Sequence, residues 1–163
     1  MTLAMVEAVM LGRRADAEAL ANARMPERWP NRELVERAFT SSLDAIRENP
    51  SERLWGNRVM IAATDGVRRV VGSIVFHGAP RGDGVAEIAY GVEDGSQRLG
   101  YATEAVRACV GWALAQDGVR SVQAATFAWH VPSLRVLENA GMVRAGARDH
   151  ETMGEMILFE RRR

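Results

Sequence analysis

The sequence is poor in several residue types, and each shortage excludes a class of protein. Its 163 residues contain one cysteine, Cys109, which excludes an internal disulfide and fits a reducing cytoplasm. Arginine supplies all 21 basic residues, and 21 acidic residues balance them, so no surface for nucleic acid or a membrane is expected. No apolar run is long enough to cross a bilayer, and the first residues lack a secretory pattern. The three histidines have no metal-ligand spacing, so no metal is expected.

What remains is the composition of a soluble globular chain, long enough for one domain spanning residues 1–163. Apolar periodicity and turn residues predict a strand, two helices, three strands, a helix, a strand, a helix and a hairpin. In order, these elements are residues 5–11, 16–23, 32–48, 58–64, 70–76, 85–92, 102–117, 121–127, 131–140, and the pair 142–147 and 156–159. Asn31 is expected to cap the second helix, and the last three arginines to form a solvated tail. The order is that of a mixed α+β sheet covered by helices.

The stretch from Gln97 to Ala102 lies between a predicted strand and a helix with apolar residues at helical spacing. A helix N-terminus presents unpaired backbone N–H groups and the positive end of the helix dipole. Gly100 has no side chain to keep an anion away from those groups. The stretch therefore fits a phosphate or pyrophosphate cradle, although an ordinary tight turn before a core helix explains it equally well.

The spacing Gln-x-x-Gly-x-Ala after a strand resembles the acyl-CoA pyrophosphate motif of the GCN5-related N-acetyltransferases (GNAT). The segment from Ser133 to Met142 is similar to a second motif of the branch that acetylates ribosomal-protein N-termini. Together the two matches cover residues 85–147. The resemblance implies an α+β GNAT fold, with a mixed, mostly antiparallel central sheet of about seven strands and about four flanking helices. It also implies acetyl-CoA as the co-substrate.

The resemblance implies a set of residues that contact acetyl-CoA. A bulge in the strand at 85–92 would free its backbone for the pantetheine arm, and one N–H near Tyr90 would polarise the thioester carbonyl. Gln97 would brace the phosphate loop, and His130 stands where the branch usually has an asparagine that contacts pantetheine. The pantetheine arm would be bound by backbone groups of Ala89, Tyr90, Gly91 and Val92. The pyrophosphate would be bound by the backbone amides of Arg98, Leu99, Gly100, Tyr101 and Ala102.

Two residues are expected to act in catalysis. Glu87 is a carboxylate among apolar strand residues, and it could remove the proton of the acceptor amine. It could equally be a structural carboxylate bonded across the sheet, or a group that only binds a cationic acceptor. Leu137 stands where many relatives have the tyrosine that protonates the departing thiolate, which leaves Ser133 to hydrogen-bond that sulfur.

Two functions from different classes remain open at this point. One is an N-acetyltransferase acting on a peptide N-terminus or a small-molecule amine, with a homodimer as the implied assembly. The other is an acyl-CoA-binding sensor or interaction domain without catalysis. In the family, two early helices form one wall of the acceptor pocket, which would place Trp29, Phe39 and Trp55 there; simple packing accounts for all three as well.

Overall fold

The structure is a computed structural model that describes residues 1–27, 29–30, 39–80 and 82–163, with the backbone alone for residues 41 and 42. The predicted cap Asn31 and the first half of the helix predicted at 32–48 lie outside these ranges. None of the helices in the described ranges is long and apolar enough to span a bilayer.

Among the described residues, three α-helices come first along the chain, followed by three strands, a helix, a strand, a helix and two strands. The α-helices are α1 (Leu3–Met10), α2 (Arg14–Ala21), α3 (Thr40–Glu48), α4 (Tyr101–Leu114) and α5 (Val131–Asn139), with short 3₁₀ helices at Pro50–Trp55 and Asp94–Ser96. The strands are β1 (Asn57–Thr64), β2 (Val67–Phe76), β3 (Val85–Val92), β4 (Ser121–Phe127), β5 (Val143–His150) and β6 (Gly154–Arg162).

The six described strands form one sheet in the order β1-β2-β3-β4-β6-β5. All neighbouring pairs are antiparallel except β3 and β4, which are parallel. Since α4 connects these two parallel strands, the carboxyl ends of β3 and β4 and the start of α4 lie at the same edge. This arrangement agrees with the predicted fold class.

Each face of the sheet has its own apolar cluster. On one face, Val106 and Val110 of α4 pack with Ile88 of β3, Val122 of β4 and Phe159 of β6, all at most 2% exposed. On the other face, α1, α2 and α3 pack over β1 and β2 and bury a cluster that includes Met5, Val6, Ala17, Phe39, Leu43 and Val70. The second face is therefore covered at the β1–β2 end, while Ala89 and Gly91 of β3 are exposed on it.

The first predicted element is wrong in type. Residues 5–11 were expected to form a strand, but α1 occupies this position, so the described sheet has six strands rather than seven. The Thr2 side chain caps the helix by accepting a hydrogen bond from the Met5 N–H. Met5, Val6 and Val9 are buried at helical spacing, so packing against the sheet outweighs the strand preference of the valines.

Several boundaries also differ from expectation, among them the end of α4 and the end of β6. The central helix α4 ends at Leu114, and a turn containing Gly118 at φ 78° leads from it to β4. The arginines at the end of the chain are not simply a solvated tail, because Arg161 and Arg162 belong to β6. The Arg161 guanidinium donates to the Ala140 carbonyl and so fastens β6 to the end of α5.

Candidate active site

A gap between β3 and β4 is the centre of the candidate site. The parallel ladder pairs Val85, Ala86 and Glu87 with β4 and stops at Glu87 opposite Gln123. Beyond this point β3 remains paired with β2 as far as Val92, whereas β4 continues along β6. The predicted divergence of these strands is therefore present, and Glu87 lies where it begins.

The backbone of β3 beyond Glu87 has groups directed into this gap. The Glu87 carbonyl accepts from the His77 N–H at 3.0 Å, and the Glu93 N–H donates to the Val71 carbonyl at 3.0 Å. The backbone groups of the odd-numbered residues on this side of the gap are therefore directed towards β2. Because the direction alternates along a strand, the N–H and C=O groups of Tyr90 and Val92 face the β4 side. These are groups that could bind an extended ligand.

The expected bulge in β3 is wrong. The β2–β3 register runs without a shift from Gly72 opposite Val92 to Phe76 opposite Ile88. The register shift in this part of the sheet instead lies between β1 and β2, at Met60. The separation of β4 from β3, rather than an inserted residue, is what frees the backbone.

The start of α4 has the geometry expected of an anion cradle. Gly100 is the N-terminal flanking residue with φ 87°, and it offers no side-chain cap to the helix amides. A Cβ at Gly100 would meet nothing within 4 Å, so the space in front of these amides is open. Arg98 also has a positive φ of 63°, and Leu99 is 64% exposed beside it.

Gln97 joins this loop to the end of β3. Its side-chain amide donates to the Val92 carbonyl at 3.3 Å and to the Asp94 carboxylate at 3.0 Å. The exposed Gln97 therefore connects the strand, the 3₁₀ turn at Asp94–Ser96 and the glycine loop. This contact is of the kind that the bracing role requires, and the role itself stays a prediction.

The Glu87 carboxylate lies beside His77 in a half-exposed position. His77 Nδ1 is 3.7 Å from Glu87 Oε2, and the side chains are 49% and 42% exposed. The pKa of Glu87 is lowered from its ordinary value chiefly by His77, with a smaller contribution from Arg148, and partial burial opposes this shift. Glu87 is therefore a carboxylate at neutral pH, free of a proton and able to accept one.

The side chain of Tyr90 ties β3 to the first turn of α5. Its hydroxyl donates to the Ser133 carbonyl at 3.2 Å, and burial raises the pKa of Tyr90 above its ordinary value. The Ser133 hydroxyl is half-buried and has no hydrogen-bond partner within the part of the chain that the structure describes.

His130 is exposed and immediately precedes α5. Leu137 is fully buried in the core, so this position does not reach the gap.

The aromatic residues expected in an acceptor wall are packing residues. Trp29 and Phe39 meet edge to face at 6.3 Å and belong to the buried cluster beneath α1–α3. Trp55 packs against Phe76 and Trp112 at 5.3 and 4.8 Å, on the α4 face of the sheet, which is opposite to Glu87. The packing interpretation of the sequence therefore holds for all three.

Two features of the site were missed in the sequence. One is His77, which follows β2 and whose pairing with Glu87 depends on the β2–β3 register rather than on any local pattern. An exposed aromatic stack also continues β4: Trp129, 61% exposed, lies parallel to Phe127 at 5.3 Å. The sequence signal for the stack is a pair of aromatic residues two positions apart at the end of a strand, because this spacing places both side chains on the same face of the sheet.

A separate open cleft lies between α2 and the β1–β2 hairpin, with a volume of about 690 Å³. It is lined by Arg14, Glu18, Arg24, Met25, Glu27, Val67 and Arg69. None of the predicted site residues borders it, and Glu18 is engaged there by the Met25 N–H at 2.8 Å. The chemistry-bearing groups are at the β3–β4 gap, so the gap is the better candidate for the active site.

Comparison with known proteins reveals a family match over most of the chain. The family model described as "Acetyltransferase (GNAT) domain" matches residues 8–143. A curated relative, "Uncharacterized N-acetyltransferase YjdG" of Bacillus subtilis (strain 168), is 24% identical over 115 residues, which cover 71% of this chain and 67% of that protein.

Two solved structures show how far the fold extends. The ribosomal-protein-S5-alanine acetyltransferase from Vibrio fischeri matches with a TM-score of 0.68 at 15% identity, covering 97% of this chain and 88% of that one. The spermidine/spermine N-acetyltransferase SpeG from Vibrio cholerae matches with a TM-score of 0.59 at 10% identity, covering 77% and 75%. At these identities the likeness concerns the fold alone.

Proposed function

The chain belongs to the GNAT acetyltransferase family and is an acyltransferase, and on this premise we propose that it transfers the acetyl group of acetyl-CoA to a primary amine by direct attack in a ternary complex. The observation that supports this most is the β3–β4 gap, which opens at Glu87 and adjoins the uncapped start of α4. One carboxylate, free strand backbone and helix amides then meet at the same edge of the sheet.

The residues present fit acetyl-CoA, the co-substrate of this family. The amides following Gly100 can hold the pyrophosphate, since the space in front of them is open and the helix dipole favours an anion. Within the β3 segment from Ala89 to Val92, the N–H and C=O of Tyr90 and the N–H of Val92 face the gap and can pair with the amide groups of the pantetheine arm, while Gln97 holds the loop against the strand. Acetyl-CoA supplies the activated acyl group.

Glu87 carries the chemistry on the acceptor side. An N-terminal amine has an ordinary pKa of about 8 and a lysine-like amine about 10, so near neutral pH most of either is protonated and cannot attack. The Glu87 carboxylate accepts that proton directly or through one water. Exposed Ala89 and Gly91 on the same face leave room for the acceptor.

Two groups act on the thioester side. The Tyr90 N–H donates to the oxygen of the thioester carbonyl. It thereby stabilises the negative charge that develops on this oxygen as the amine nitrogen bonds to the carbon. As the carbon–sulfur bond breaks with its electrons on sulfur, the Ser133 hydroxyl would donate a hydrogen bond to the departing thiolate, and the second proton of the amine nitrogen would pass to that thiolate through water. His130 contacts the pantetheine arm from the start of α5.

The acceptor is a protein N-terminus or a small-molecule amine, and the related folds include one acetyltransferase of each type by their names. The test is a panel of alanine- and serine-initiated peptides, spermidine and free amino acids, each incubated with acetyl-CoA. We expect one acetyl group of added mass on at least one amine, with an equal amount of free thiol.

The alternative function is an acyl-CoA sensor. Saturable acetyl-CoA binding without turnover on any amine of the panel would support it against the enzyme. We place the single-domain chain in the cytoplasm, in keeping with the one buried cysteine, Cys109. The homodimer stays a prediction, which light scattering of the purified protein tests.

A further inference from the structure

We propose that His77 is a positioning residue that holds the Glu87 carboxylate, through its Nδ1, at the mouth of the β3–β4 gap and aims it at the acceptor amine. The proposal rests on the proposed function of Glu87. It adds a residue that no motif of the sequence selects, because His77 directly follows β2 and does not belong to the strands that line the gap.

The backbone fixes the two residues opposite each other. The His77 N–H donates to the Glu87 carbonyl at 3.0 Å, one position beyond the last paired residues, Phe76 and Ile88. Residues opposed across antiparallel strands project to the same face, with Cβ atoms roughly 5 Å apart. Both side chains therefore project to the face that carries Ala89 and Gly91, opposite α4.

The side chains approach without making other bonds. The 3.7 Å between His77 Nδ1 and Glu87 Oε2 is within ion-pair range and longer than a hydrogen bond. Within the described ranges, the imidazole has no second hydrogen-bond partner. Glu87 Oε2 thus lies nearest the His77 ring, and the other carboxylate oxygen is left for the amine or a bridging water.

Few other charges compete for Glu87. From β5, Arg148 adds a favourable long-range interaction. From β4, the opposing residue is the neutral Gln123, whose amide is turned towards Glu160 at 3.3 Å. Among the described residues that face Glu87, His77 is therefore the group able to fix the orientation of the carboxylate.

A stabilising role alone explains the pair poorly. Both side chains are about half exposed, and exposed ion pairs contribute little to folding stability. Removing the imidazole should consequently leave the melting temperature close to that of the parent. An effect on turnover without an effect on melting separates positioning from structure.

The experiment compares His77→Leu, which removes the ring nitrogen, with His77→Asn, whose amide nitrogen can replace Nδ1. Each of the two substitutions is made in the parent protein and in the Glu87→Gln variant. Turnover is measured with the amine acetylated in the panel. Glu87 titration is followed by carboxyl NMR, which needs no acceptor. Arg144→Gln, which breaks the 3.0 Å surface pair with Glu138, is the matched control.

We expect His77→Leu to lower kcat about tenfold, the order expected for one hydrogen bond to a charged group. His77→Asn should recover most of the loss, and neither change should alter acetyl-CoA affinity or add to Glu87→Gln, because His77 acts through Glu87. The Glu87 titration should move upward in His77→Leu and stay in place in Arg144→Gln.

Different results overturn different claims. An unchanged Glu87 titration in His77→Leu, or equal losses from His77→Leu in the parent and in Glu87→Gln, refutes the positioning role while leaving Glu87 as the base. Full turnover in Glu87→Gln refutes the base itself, and a remaining effect of His77→Leu would then show that His77 acts independently.

Discussion

Gly100 is the residue on which we expect acetyl-CoA binding to depend most. Gly100→Glu places a carboxylate in the open space before the α4 amides, where it repels a pyrophosphate. Acetyl-CoA affinity, measured by calorimetry, should fall at least tenfold, or about 1.4 kcal/mol. Gly118→Glu is the matched control, because Gly118 also has a positive φ and open space but lies beyond the other end of α4. Equal affinities in the two variants would place the phosphates elsewhere.

Ser133 is a residue whose hydroxyl and carbonyl have different tasks. The carbonyl accepts from the Tyr90 hydroxyl, whereas the Ser133 hydroxyl is the group that we propose to contact the sulfur. Ser133→Ala should lower turnover roughly tenfold with little change in acetyl-CoA affinity, since the bond strengthens as charge develops. Steady-state kinetics with a parallel binding measurement checks this. Turnover equal to the parent's would mean that water assists the leaving thiolate.

Among the elements, β3 and α5 are joined by a partly buried hydrogen bond between Tyr90 and Ser133. Tyr90→Phe removes the donor to Ser133 and should lower the free energy of unfolding by about 0.5–1.5 kcal/mol. Urea unfolding measures this, with the m-value unchanged. The control is Tyr101→Phe, because the Tyr101 hydroxyl has no hydrogen-bond partner within the described part of the chain. Equal destabilisation in both variants would contradict a specific role for the tie.

The elements differ in how well the sequence predicts them. The hairpin β1–β2 and the strands β3 and β4 follow from alternation and from turn residues such as Asp65-Gly66, which are local signals. The first helix could not be chosen over a strand locally, because Val6 and Val9 favour either and burial decides. The Thr2 cap was the available signal.

The same distinction applies to the candidate site. The loop at Gly100 was recognised from residues close in sequence, and the structure places it at the start of α4. The pairing of His77 with Glu87 depends on the register between β2 and β3. The connection between these strands, residues 77 to 84, is too long for the turn type to fix that register. The sequence therefore indicated where the site lies but not which side chain faces Glu87.

The whole molecule should lose stability in acid chiefly through two glutamates. The pKa of Glu18 is lowered chiefly by the Met25 N–H, and that of Glu160 chiefly by Arg162 at 2.7 Å. A carboxyl group whose pKa is lower in the folded than in the unfolded state stabilises the fold fully at pH values above its unfolded pKa, about 4.3. This stabilisation is lost as the pH falls through the folded pKa.

Thermal melting between pH 7 and pH 3 checks this expectation. The melting temperature should decline as the pH drops below about 4.3, and Glu160→Gln should weaken that decline. Glu151→Gln, at an exposed position in the β5–β6 turn, should leave the decline as in the parent. A melting temperature that rises on acidification would contradict the assigned directions.

The most direct measurement on the whole enzyme is the pH dependence of amine acetylation in the parent and in Glu87→Gln at saturating acetyl-CoA. Glu87→Gln should reduce turnover by about 10²–10⁴-fold, the range for a general base, with acetyl-CoA affinity and melting temperature nearly unchanged. Because the pKa of Glu87 is lowered, the parent should gain rate with pH as the acceptor loses its proton, and raising the pH should restore part of the variant's activity. A destabilised Glu87→Gln with the parent's specific activity would contradict the assignment and show that Glu87 is structural.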